Sequence, residues 1–136
     1  MTHRIPPETE SRARSLFGDL AEGRWEKARQ EFDPGVRHAD ADQIARAWTN
    51  VTRPAGTFEG MGTPSGRQSA SYTVVNVPLA FRAGDATGRV VIGRDGKVTG
   101  LKLQYPRRRR LDPRPVHVFT ISNGDPEVAK ALHAAR

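Results

Sequence analysis

The chain has no cysteine, which excludes a disulfide framework, a thiolate nucleophile and every zinc or iron–sulfur site built on sulfur ligands. Histidine is scarce as well. His3, His38, His117 and His133 are the four, and no two lie at the helical spacing that would put both imidazoles on one metal. No metal and no cofactor is therefore expected. Long apolar runs are also missing: the longest nearly apolar stretch, Val74 to Phe81, is interrupted by Asn76 and Pro78, far short of the roughly 20 residues a bilayer-spanning helix needs. The first ten residues hold His3, Arg4, two prolines and two glutamates in place of the apolar region of a secretory leader. Together these absences point to a cytoplasmic domain with no membrane partner.

What is present suits a single compact domain: 136 residues, of which 36% are hydrophobic and 27% charged. The net charge of +7 is unevenly spread. Residues 1–105 carry 15 basic and 12 acidic side chains, whereas residues 106–136 carry seven basic and three acidic, four of the seven being the run Arg107 to Arg110. No aromatic residue is interleaved with that run, so it lacks the stacking platform of a nucleic-acid reader and is taken as a solvated linker. Nucleic acid is not an expected partner. Binding of nucleic acid or another anionic polymer through this basic tail stays as a lesser alternative, with salt sensitivity as its mark.

From about Glu8 to Phe32, apolar residues recur at three- and four-residue steps, as on one face of a helix, with Gly23 predicted to divide the segment in two and Asp33-Pro34-Gly35 to end it. A third helix is predicted from Asp40 to Thr52, capped by Asp40 or Asp42. Beyond Gly56 the period changes to two. Thr57 to Met61 reads as a short strand, Gly62 to Gly66 as a turn, and Gln68 to Phe81 as a long strand bent or edged at Pro78, which cannot donate a ladder hydrogen bond. Ala86 to Gly93 and Lys97 to Tyr105 flank Asp95-Gly96, the pair favoured by a type I′ hairpin turn. After Pro106 come a short strand at Val116 to Ile121 and a small helix with Asp125 as its cap and Val128 and Leu132 as its apolar pair. The fold class is α+β: N-terminal helices packed on a curled antiparallel sheet. The domain occupies residues 1–105, and an Arg/Pro-rich linker with a strand–helix appendage occupies 106–136.

Helices first and a curled antiparallel sheet afterwards resemble the cystatin-like or NTF2-like cone superfamily. The local sequence is similar to the DUF3887 family over about residues 10 to 105. The likeness is carried by the stretch Leu20 to Ala28, by Phe32-Asp33-Pro34, Ala47-Trp48 and Gly56-Thr57-Phe58, by Tyr72 to Phe81, by Val90-Val91-Ile92 and by Asp95-Gly96-Lys97-Val98. The resemblance implies a module of uncharacterised function that often precedes an α/β-hydrolase. No Gly-x-Ser-x-Gly nucleophile elbow occurs in this sequence, so hydrolase chemistry does not carry over.

In a cone fold the space between helices and sheet can hold a hydrophobic small molecule. The candidate ligand-binding residues are Phe32, Trp48, Phe58, Tyr72 and Tyr105, large aromatics that form walls or fill a core. No catalytic residue is assigned. Asp33 and His38 fall in a turn, and Glu59 points away from the sheet face that Phe58 occupies. The outward sheet face, with Tyr72, Val74 and Val91 among Arg89, Lys102 and Gln104, suits a homodimer. The expected function is therefore binding, of a small molecule or of a second copy, without catalysis. Whether the chain is an enzyme stays open, the alternative being an isomerase, dehydratase or cyclase acting on a polyketide-like compound.

Overall fold

The computed structural model describes residues 6–36, 40–69, 71–105 and 117–133, with the side chains of Pro54, Tyr105, His117, Val118 and Phe119 left out. Helix α1 (Pro7–Ala21) starts at a proline with Glu8 and Glu10 in its first turn, where their charge complements the helix dipole. It buries Ala13, Leu16, Phe17 and Leu20 on one face. Gly23, at φ 78°, separates it from α2 (Trp25–Arg29), as the sequence predicts. The turn is also held by charge. Asp19 is buried and accepts a 2.9 Å hydrogen bond from Arg24 Nε, while Lys27 Nζ lies 3.7 Å away. The bond to Asp19 is the main reason the Arg24 guanidinium holds its proton more tightly than usual, with burial opposing and Glu22 adding to it. Helix α3 (Ala41–Thr52) begins with a reciprocal capping box between Asp40 and Gln43. A 3₁₀ turn (Arg53–Ala55) ends it.

Strands β1 (Phe58–Met61), β2 (Ser65–Gln68), β3 (Tyr72–Phe81), β4 (Gly84–Gly93), β5 (Val98–Tyr105) and β6 (His117–Ser122) form one curled antiparallel sheet in the order β1-β3-β4-β5-β6, with β2 also on β3. The final helix is α4 (Pro126–His133). Pro78 explains the broken edge. Its carbonyl accepts from Gly62 N at 2.8 Å on the side where the missing N–H would have donated. There the edge partner changes from β1, opposite residues 79–81, to β2, opposite residues 73–76.

Two local expectations are corrected. Ser65 to Gln68 is a strand of its own, and the chain reverses after it, where Ser69 N and Oγ both donate to the Tyr72 carbonyl at 2.8 and 3.1 Å. The Asp95-Gly96 hairpin forms but is not type I′, because among the described residues no residue other than glycine has positive φ. Gly96 N donates to Gly93 O at 3.0 Å, Gly96 takes φ 82°, and Gly93 N returns a bond to Lys97 O at 2.8 Å. This is a type I turn closed by a left-handed glycine, a longer loop that Asp95 supports by accepting from Lys97 N at 3.0 Å.

The sheet carries an apolar cluster on each face. On the concave side, α1, α2 and α3 pack with Val75, Val77, Leu79, Val90, Leu101 and Leu103 into the main core. Gly88 on β4 admits Phe17 so closely that a Cβ there would sit 2.5 Å from its ring. On the other side a smaller cluster forms from Val74, Val91, Val128, Ala131 and Leu132. At Gly100 on β5 a Cβ would lie 2.7 Å from Val128 and 2.9 Å from Leu132. Glycine inside a strand marks the close approach of another element, once on each face. Among the described residues no helix is long and apolar enough to cross a membrane.

Candidate functional site

Among the described residues an opening into the inner layer lies at one end of the sheet, between the first turns of α1, the β2–β3 turn and the β4–β5 hairpin. It is a half-open cleft of about 560 Å³. Thr73 and Ile92, both buried and on the inner side of their strands, form part of its floor. Tyr72, half-buried against the outer cluster, stands at its edge, and Glu8, Arg12, Ser69, Arg94 and Asp95 ring the mouth. Arg12 bridges two of the segments: its guanidinium donates to Gly96 O at 3.2 Å and lies 3.6 Å from Glu31 Oε2. Both charged groups are about half exposed, so solvent screening leaves this ion pair little energy, and its effect is to orient the guanidinium.

The five aromatic candidates do not share one site. Phe32 is fully buried and Trp48 is 5% exposed, both within the main core, where Thr52 Oγ1 donates to the Trp48 carbonyl at 2.9 Å. Phe58 is half-buried and packs edge-on against Phe81, ring centroids 5.5 Å apart. Only Tyr72 lines the mouth. The side chain of Tyr105 lies outside the described residues, as do His38 and the run Arg107 to Arg110. Asp33 serves its turn, accepting from Gly35 N at 2.9 Å, and Glu59 is exposed. Among the described residues no three His, Asp or Glu side chains come together as a metal site would require.

Arg12, Ser69 and Arg94 have no local pattern that marks them, since the mouth is assembled from segments about 60 and 80 residues apart in a chain of 136. A model of the family DUF3887, a protein of unknown function, matches residues 13–101. The chain belongs to the DUF3887 family. The DUF3887 match takes in Tyr72, β4 and the turn into β5 and ends within β5, while the first residues of the mouth precede it and β6 and α4 follow it. No curated protein and no solved structure matches the chain.

Outside that DUF3887 segment, α4 changes the meaning of the outer sheet face. Val74 and Val91, predicted to be an exposed apolar patch, are 6% and 0% exposed because α4 covers them. Arg89 fastens the end of that helix. Its Nη1 donates to the carbonyls of Ala131 and Leu132 at 3.0 and 3.2 Å, and its Nε donates to Asn76 Oδ1 at 2.7 Å. The last carbonyls of a helix lack partners of their own, and a cation placed there satisfies them with the favourable sign.

Proposed function

We propose that this DUF3887 domain is a non-catalytic small-molecule-binding module of NTF2-like type, whose ligand enters at the mouth between α1 and the β4–β5 hairpin. Helices seated on the concave side of a curled antiparallel sheet support the NTF2-like placement. The cleft itself carries the functional reading. At about 560 Å³ it falls in the size range of ordinary ligand pockets, with Thr73 and Ile92 at its floor and Arg94 exposed at the rim. A matching ligand has a small apolar edge to meet the Ile92 floor and an anionic end to meet Arg12 and Arg94, set between the carboxylates of Glu8 and Asp95. The apolar part of the outer face is covered by α4 of the same chain, which favours the ligand over a sheet-to-sheet dimer.

Screening small carboxylates by amide chemical shift tests this reading. The expected hits perturb Arg12, Ser69, Thr73 and Gly93 to Gly96, and Arg94→Ala weakens them roughly tenfold, as loss of one charge-assisted contact does, without lowering stability. A panel with no hit, or hits that perturb only other surfaces, contradicts it.

A further inference from the structure

Strand β2 is an open edge: it pairs with β3, and among the described residues no other strand pairs with it. The pleat decides which of its backbone groups are spent. Tyr72 and Pro78 accept from Ser69 N and Gly62 N at 2.8 Å each, so the even-numbered residues of β3 serve this side. Register sets Ser65 opposite Asn76 and Arg67 opposite Val74, and these pairs exchange the ladder bonds. The N–H and C=O groups of Gly66 and Gln68 are therefore turned outward. All four residues of the strand are exposed. Gly66 also keeps the row bare, since a Cβ there would run into the Val74 carbonyl.

Arg67 is the one charged residue of β2, stands on the outer face beside Val74, and is in no ion pair among the described residues. Its position bears on what can pair with the edge. If two copies of β2 met so that Gly66 and Gln68 of each bonded Gln68 and Gly66 of the other, Arg67 would face Arg67 at a non-hydrogen-bonded position. Opposed Cα atoms there are about 4.5 Å apart, and like charges destabilise the pair. Sliding that register loses half of the bonds within the strand. A carboxylate at the same position turns the repulsion into attraction. Each end of the strand also opens on a cleft. Gln68 lines the mouth, and Ser65 lines a second half-open cleft of about 380 Å³ that includes Pro78 and Ala80, with Asp85 at its wall.

We propose that β2 is a docking edge for an extended acidic peptide segment, added as a further antiparallel strand with a Glu or Asp of the partner opposite Arg67. Its backbone bonds to Gly66 and Gln68, which supplies affinity whatever the sequence, and Arg67 selects the charge. Two residues after the acid, the partner's side chain lies opposite Ser65 on the outer face, where a small apolar group suits the second cleft. This edge is independent of the proposed ligand, which uses side chains around the mouth.

The test is a titration of the isotope-labelled full chain with the end-blocked pentapeptide Thr-Glu-Thr-Val-Thr, followed by amide chemical shift. The amides of Gly66 and Gln68 are expected to move downfield and to exchange more slowly with solvent. Arg67→Glu should weaken this peptide about five- to tenfold and strengthen one carrying Lys in place of Glu by a similar factor. N-methylation of the two threonines that flank the acid should abolish binding, because those N–H groups are the ones turned to β2. Methylated peptide that binds as well as the parent overturns the proposal, since ion pairing alone then accounts for it. So do Glu and Lys peptides that bind the unmodified chain alike, and Gly66 and Gln68 amides unmoved at about 5 mM peptide. Shifts of the same two amides with protein concentration alone, without peptide, assign the edge to a second copy and overturn it too. The peptide comparisons on the unmodified chain stand even if Arg67→Glu does not fold.

Discussion

The two faces of the sheet are built by different means. The concave face is covered by three helices whose apolar residues recur at helical spacing, and its core draws on every strand from β3 to β6. The outer face is covered by a single eight-residue helix and a five-residue cluster, too little apolar area to seat a helix firmly through burial alone. Two particular residues make up the difference: Gly100 lets α4 approach the backbone, and Arg89 binds its terminal carbonyls. The inner layer follows from pattern and tolerates small changes. The outer layer follows from single side chains, and there one substitution decides whether the helix stays.

The contrast breaks first on the inner face. Phe17→Ala removes a fully buried ring seated on Gly88 and is expected to lower stability by about 3–5 kcal/mol in urea denaturation, with all regions losing protection together. Gly100→Val should lower it by about 1–3 kcal/mol through overpacking against Val128 and Leu132. Its particular result is local, because amide exchange in α4 accelerates while α1 keeps its protection. Replacing Arg89 by Met takes the charged donor from the α4 carbonyls at an expected loss of about 1–2 kcal/mol, again concentrated in α4 exchange. The smallest effect sharpens the comparison from the other side. Asp40→Ala deletes the capping box of α3 for about 1 kcal/mol and should leave α4 exchange unchanged.

The inner layer was largely legible in the sequence because its signals are repetitive. Leu16, Phe17 and Leu20 repeat at helical steps, Val75, Val77 and Leu79 alternate, Asp40 caps, and Pro78 marks the edge where β1 gives way to β2. The outer layer was much less legible. Val128 and Leu132 announce a small amphipathic helix, yet nothing local says that it covers Val74 and Val91. Gly100, interrupting the alternation of β5, was the available sign that something approaches that strand. The strand at Ser65 to Gln68 is hidden by its polarity: all four of its residues are exposed, so no hydrophobic period marks it. The mouth is a tertiary product. Tyr72 stands out by type, whereas Arg12 and Arg94 become its neighbours only when the hairpin meets α1. Phe32 and Trp48 share Tyr72's aromatic character but lie on apolar faces that the core absorbs.

The most direct check is a nuclear Overhauser spectrum of methyl-labelled protein with assigned glycine protons. Contacts from the α4 methyls of Val128 and Leu132 to the Gly100 α-protons, together with contacts from the Phe17 ring to those of Gly88, are the predicted result. Spectra in which α4 contacts no strand, or reaches the face that Phe17 occupies, would contradict a sheet covered on opposite sides by the two helical layers.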